Sequence, residues 1–414
     1  MTTTSTRKVD SDSSADASGV PWDSRTVRLV LSSTLLAPLG VPLVSPALPA
    51  IRDAFGVTDA EASLLVSAYF VVGIALSPFV GALADRIGRR RVLAGSLLVF
   101  GLTGGVTAFA PSFDAVVALR AVQGTAAAGI FVSTVTVIGD AFDGPQRNSV
   151  LGVNTAVLSA GAALFPIVGG LLVAVAWNAP FLTYFAAVPL AVAVYLWLDE
   201  PGASGGRRPT WGRAYARGVL RDLRPPATLS LYVATFAGEF LLFGAVLTAL
   251  PFLLVDSFAL AAVLVGAVIT TAEVASVAVS AANGRFARRA SNRLLVAAGF
   301  GWLGVGFVAA WLAPTPVLVG VAMLAVGAGI GLVLPSVDAE LSGAVSDAHR
   351  AGALSLRNST TFLGRASGPV VFAGLAATTG YQPLLLAAGV AAFLVAAVSL
   401  SVPARPVPED IGAV

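Results

Sequence analysis

After a polar opening rich in Ser, Thr and Asp, the chain is a succession of apolar runs separated by short polar stretches. The runs cover residues 29–51, 62–84, 92–110, 115–138, 148–176, 180–198, 227–250, 259–282, 294–312, 317–337, 351–378 and 384–402. Each is about long enough to cross a ~30 Å hydrocarbon core as a helix rising ~1.5 Å per residue. In lipid a spanning segment must satisfy its own backbone, which a helix does. The pattern predicts an all-α membrane protein of twelve transmembrane helices with both termini on one side. Residues 1–26 read as a disordered tail and not as a signal peptide, since they hold no apolar run. Residues 403–414 read as a second short tail.

The widest gap, 199–226, carries Pro201, Gly202, Gly205, Gly206 and six arginines. It separates a six-helix unit at 27–198 from another at 227–402. A solvated linker is its simplest reading; lying along an anionic leaflet is the other. The halves align at a shift of 202–203 positions. Ala47-Leu48-Pro49 matches Ala249-Leu250-Pro251, Arg147 matches Arg350, and Pro166 matches Pro369. Such parallel duplication predicts two pseudo-symmetric six-helix bundles, with a substrate site near the midplane between them.

Composition narrows the function. The 414 residues are 57% hydrophobic and only 11% charged, where a soluble domain carries about a quarter charged. No cysteine is present and His349 is the single histidine, which removes thiolate chemistry and any His-based metal cluster. No Gly-x-x-x-x-Gly-Lys-[Ser/Thr] loop exists to drive transport with ATP. Neither an enzyme, a resident cofactor nor a metal is expected.

Charge sets orientation. Of the 25 basic residues, all but Arg52, Arg120, Arg357 and Arg365 fall in tails or loops on the terminal side. The positive-inside rule therefore puts both termini in the cytoplasm of a multi-pass plasma-membrane protein. The excess of basic residues is topological, so a nucleic-acid partner is not expected; the bilayer is the partner.

Three motifs carry chemistry. Residues 81–91 read Gly-Ala-Leu-Ala-Asp-Arg-Ile-Gly-Arg-Arg-Arg. A plain basic turn accounts for Arg86 and Arg89 but not for Asp85 between Gly81 and Gly88. The fourth span holds Arg120-Ala-Val-Gln123-Gly124, and an arginine inside a bilayer is functional by default unless it snorkels to the interface. The fifth span holds Gly161-Ala-Ala-Leu-Phe-Pro166-Ile-Val-Gly169-Gly170, where small residues allow close helix packing and proline kinks the helix. These stretches resemble the signatures of the major facilitator superfamily, in its twelve-helix drug–proton antiporter branch.

The resemblance implies the major facilitator fold, alternating access, and a small-molecule substrate. It implies that Asp85 locks the two halves on the cytoplasmic side, that Arg120 and Gln123 serve proton coupling, and that 161–170 is the antiporter motif. Phe165 stands where that motif usually has glycine, and Ala287 replaces the acid in the second half, so such a lock is one-sided. The acid that many drug–proton antiporters carry in the first span is missing between Gly40 and Pro46.

The charges inside spans are Arg120, Glu239, Glu273, Arg357 and Arg365. Glu239 and Arg365 sit at similar depth, as do Glu273 and Arg357, which predicts two ion pairs. A carboxylate beside an arginine stays ionised, and one left alone takes up a proton, which is the switch a proton-coupled carrier needs. Static braces between helices are the competing reading. Tyr69, Gln123, Asn154, Asn358 and Thr361 are candidates to line the cavity. The leading expectation is proton-coupled export of amphipathic or drug-like compounds by a monomer. Two alternatives stand beside it: import or facilitated passage of a small organic anion, suggested by three arginines against two acids, and a non-transporting sensor or scaffold.

Overall fold

The computed structural model describes residues 19–200, 217, 218, 221, 225–346 and 349–401; the side chains of 74–82, 84, 85 and 351 are outside the described set. Residues 1–18, the tail at 403–414 and most of the linker at 199–226 therefore lie outside the described residues. Among the described residues twelve long helical rods form the body: α1 Arg25–Phe55, α2 Asp59–Ile87, α3 Arg89–Phe109, α4 Phe113–Ala141, α5 Gly144–Val173, α6 Ala179–Trp197, α7 Pro226–Phe258, α8 Ala262–Ala287, α9 Asn292–Leu312, α10 Pro316–Ala344, α11 Arg350–Thr379 and α12 Tyr381–Ser401. Ten are long and apolar enough to span a membrane, and α2 and α11, of 29 and 30 residues, match them in length.

Local chemistry sets the ends. Ser24, Ser112, Ser291 and Thr315 cap α1, α4, α9 and α10 by accepting a first-turn backbone N–H. Gly88 turns the chain between α2 and α3 at φ +100°, a conformation open to glycine at little cost. Several rods run further than the hydrophobic pattern indicates, and at two of them this matters for charge. The ends of α4 and α10 bring Asp140 and Asp338 onto the helices, because a helix continues past the last apolar residue as long as its hydrogen bonds do.

The rods α1 and α7 are irregular at matching places. α1 passes from α-helix at Arg25–Leu36 through 3-10 turns at Ala37–Gly40 and Ser45–Ala47 before resuming at Leu48–Phe55. Pro38, Pro42 and Pro46 have no N–H to give the ladder there. α7 widens into a π-helix over Leu242–Ala249, which the repeat aligns with the break in α1. Non-α backbone at membrane depth is tolerated where protein buries it, and these segments are buried.

The glycine motifs set the packing. A Cβ on Gly169 would strike the Leu43 carbonyl of α1, and one on Gly170 the Ala262 carbonyl of α8. Gly266 of α8 lies as tightly on the Pro166 carbonyl. In the second half Gly364 and Gly368 bring α11 onto the Phe236 and Phe240 carbonyls of α7. The two halves meet along α2 with α11 and α5 with α8. Large apolar residues such as Phe109, Trp197, Trp302 and Leu394 remain exposed on the outside, as lipid contact requires.

Candidate functional site

At the seam between halves, near the middle of α7 and α11, Glu239 accepts two hydrogen bonds from Arg365, Nε at 2.9 Å and Nη2 at 3.0 Å. The glutamate is 1% exposed, whereas the arginine side chain keeps 30% of its surface open. The guanidinium lies 4.9 Å from the Phe243 ring and 5.5 Å from Phe70 of the first half. Phe70 in turn meets Phe243 edge-on at 5.0 Å and Phe362 at 6.1 Å. An ion pair from one half is thus roofed by an aromatic residue of the other, so a relative movement of the halves changes its surroundings.

Glu273 is half-buried on α8, and its charged neighbours are Glu239 and Arg365. Among the described residues no hydrogen bond or ion pair reaches its carboxylate. The expected Glu273–Arg357 pair does not form: Arg357 binds Asp338 of α10, with Nε 2.9 Å and Nη2 3.2 Å from its carboxylate oxygens. Asp338 was invisible to the apolar pattern because it lies just past the last apolar residue of that run. The expected charge balance changes as well. With Arg357 neutralised and Arg120 sealed away, the seam holds Glu239, Arg365 and Glu273, one more acid than base.

Arg120 is 0% exposed and sits inside the first bundle. It donates to the Gly40 carbonyl, to the Leu65 carbonyl at 3.2 Å, to Gln123 Oε1 at 2.7 Å and to the Tyr184 hydroxyl at 3.3 Å. Its guanidinium also covers the Tyr69 ring at 4.5 Å. Tyr184 donates to the Leu39 carbonyl at 2.6 Å. The carbonyls of Leu39 and Gly40 are freed by the break in α1, and Arg120 and Tyr184 bond them. Snorkelling is thereby replaced by an interior role. Gln123 is fully buried beside Arg120 and Tyr69 packs on Gly40, so neither faces open cavity. Asn154 accepts from Thr34 at 2.6 Å, tying α5 to α1. Thr361 is buried with an unpartnered hydroxyl, and Asn358, two turns from Arg365 on the same face, is exposed.

At the terminal end Arg89 binds Asp140 at 2.9 Å, and its backbone N–H donates to Glu200 at 2.6 Å. Arg293 meets Glu340 at 3.4 Å in the corresponding place of the second half. The repeat therefore keeps an α3–α4 and an α9–α10 anchor even though the second-half loop is degenerate. Gly81 and Asp85 lie among the residues whose side chains are outside the described set, and Arg86 is exposed.

The opposite end is latched. Arg52 of α1 binds Asp59 of α2 at 2.9 Å and Asp256 of α7 at 2.9 and 3.0 Å. Tyr381 of α12 donates to Asp59 at 2.7 Å, and the Phe252 ring lies between Arg52 and Tyr381. Further inward, Ser45 donates to the Leu247 carbonyl at 2.6 Å and Thr270 to the Ala163 carbonyl at 2.8 Å. These four cross-half connections run from the latched end to the middle. Each ion pair here is partly solvated, so the latch contributes about 1 kcal/mol in all. Arg52→Ala is expected to shift the two halves apart at this end. Spin labels at Asp114→Cys and Val317→Cys, in a chain with no native cysteine, measure it: the distance distribution should broaden to longer values. An unchanged distribution would mean that the latch holds nothing.

The family model described as Major Facilitator Superfamily matches residues 30–339 and 237–413. The bacillibactin exporter of Bacillus subtilis (strain 168) is 29% identical over 380 residues, covering 87% of this chain and 92% of that one. The class C tetracycline resistance protein of Escherichia coli is 27% identical over 387 residues, covering 89% and 94%. Among solved structures, a bacterial homologue of the human lysosomal transporter Spinster, in an inward-facing and occupied conformation, superposes with a TM-score of 0.75 at 16% identity, over 92% of this chain and 96% of that one. Twelve rods in two repeats, a charged seam between them and a match over most of the length converge: this chain belongs to the Major Facilitator Superfamily, and is a multi-pass membrane transporter of small molecules, not an enzyme.

Proposed function

We propose that the protein exports amphipathic compounds across the plasma membrane in exchange for protons, as a monomer with both termini in the cytoplasm. The observation that carries this reading is the buried Glu239–Arg365 pair under Phe70 and Phe243 at the seam of the halves. In this reading Arg365 is drawn from Glu239 as the halves part, and the exchange of that partner for a proton is the coupling step. Glu273 supplies a nearby free carboxylate for the positive end of a substrate, and the aromatic rings supply its apolar contact. The arginine-rich loops favour a cytoplasmic terminal side, and the latch at the other end then corresponds to a cytoplasm-facing state. Export is also what the bacillibactin relative's name states for that protein.

Purified protein in liposomes loaded with a pH dye tests the reading. With a pH gradient imposed, cationic and neutral amphiphiles are expected to move protons and anionic ones are not. Passage of anions without proton movement would replace this reading with the organic-anion one.

A further inference from the structure

A corner at the terminal end of the first bundle is built for a ligand that the transport seam does not need. Here α1 begins and α6 ends, and the two rods pack together. A cavity of about 340 Å³ is lined by Arg25, Arg28, Leu29 and Trp197. Arg25 and Arg28 are three residues apart, so both guanidiniums project from one face. Arg28 spends one donor on the Asp23 backbone carbonyl at 3.3 Å, and among the described residues neither arginine has an acidic partner. Trp197, the last residue of α6, is 57% exposed, and Leu196 before it is 60% exposed. An exposed indole at the end of a spanning helix marks the headgroup level of the bilayer.

We propose that this corner binds the phosphate of an anionic phospholipid in the leaflet on the terminal side. Planar guanidiniums pair with phosphate oxygens in a forked geometry, and two side by side favour an extra negative charge over a zwitterionic headgroup. The indole N–H donates toward the glycerol region. Leu29 and the apolar end of α6 meet the upper acyl chain, contacts that a free phosphate ion lacks. Basic pockets between spanning helices on the arginine-rich side hold anionic headgroups in just this way. The inference is independent of the substrate and of proton coupling.

Native mass spectrometry of the full chain in detergent tests it, with phosphatidylglycerol, phosphatidylcholine and inorganic phosphate as probes. Phosphatidylglycerol is expected to be retained about tenfold more tightly than phosphatidylcholine, and phosphate not at all. The double variant Arg25→Gln/Arg28→Gln should remove that preference, while Arg288→Gln/Arg289→Gln, an exposed pair elsewhere at the same end, should keep it. Equal retention of both lipids, persistence in the first variant, or equal loss in the second overturns the proposal. Phosphate binding as tight as the lipid also overturns it, as a soluble-anion site. Brominated phosphatidylglycerol adds a readout that needs no arginine variant: it should quench the wild-type tryptophan emission more than that of Trp197→Phe. Equal quenching would place the lipid elsewhere.

Discussion

Glu239→Gln is expected to abolish substrate-driven proton movement in liposomes, down to the level of empty vesicles, while the protein still folds. Removing one partner of a buried ion pair typically costs about 3–5 kcal/mol, because the other charge is left unpaired. Here the cost is expected to be smaller, about 1–2 kcal/mol: Arg365 keeps 30% of its surface open, lies against two aromatic rings, and retains a carbonyl acceptor in the glutamine. Adding Arg365→Gln should recover most of that stability without recovering proton flux. This double-mutant comparison separates a coupling residue from a brace. Should Glu239→Gln keep full flux, the pair is a brace and Glu273 becomes the proton site.

Arg120→Met is expected to be the most destabilising single substitution in the first bundle. The arginine is fully buried and bonds the Gly40 and Leu65 carbonyls and the Gln123 side chain. The Leu65 carbonyl keeps its helical partner, but the Gly40 carbonyl and Gln123 Oε1 are left bare at about 1–3 kcal/mol each, so a loss of about 3 kcal/mol or more is expected, read as a lower midpoint of thermal unfolding in detergent. Arg120→Lys should recover little, since a compact ammonium cannot span the same set of acceptors as a planar guanidinium. An unchanged midpoint with lost proton coupling would return Arg120 to the direct role its motif implies. Gln123 offers a check, since Gln123→Leu removes one acceptor and should cost less than Arg120→Met.

The seam pair was legible in the sequence because depth along a helix can be counted: Glu239 and Arg365 lie at matching distances from the ends of their runs, and they meet. The same counting failed for Arg357. Its partner, Asp338, lies where α10 outlasts its apolar stretch, and a hydropathy pattern does not register where a helix ends. Arg52 was the lone basic residue of its side, a feature explained by topology, yet it anchors the latch with Asp59, Asp256 and Tyr381. No spacing joins those residues, which come from four different helices. Arg120 stood out as costly in a membrane, but whether it faced substrate, lipid or backbone was a question of what surrounded it.

The sequence by itself determined the twelve-helix count, the duplication, the bias of positive charge to one side and the family, since these depend on apolar run length, repeated residues and charge placement along the chain. Only the tertiary structure decided which charges neutralise one another, which carbonyls of the broken α1 Arg120 satisfies, and which end of the seam is latched. The reason is physical: burial cost and local composition act residue by residue along the chain, whereas an ion pair or a hydrogen bond depends on a few ångströms between helices far apart in sequence. In this protein those distances are set by where glycines let the rods touch.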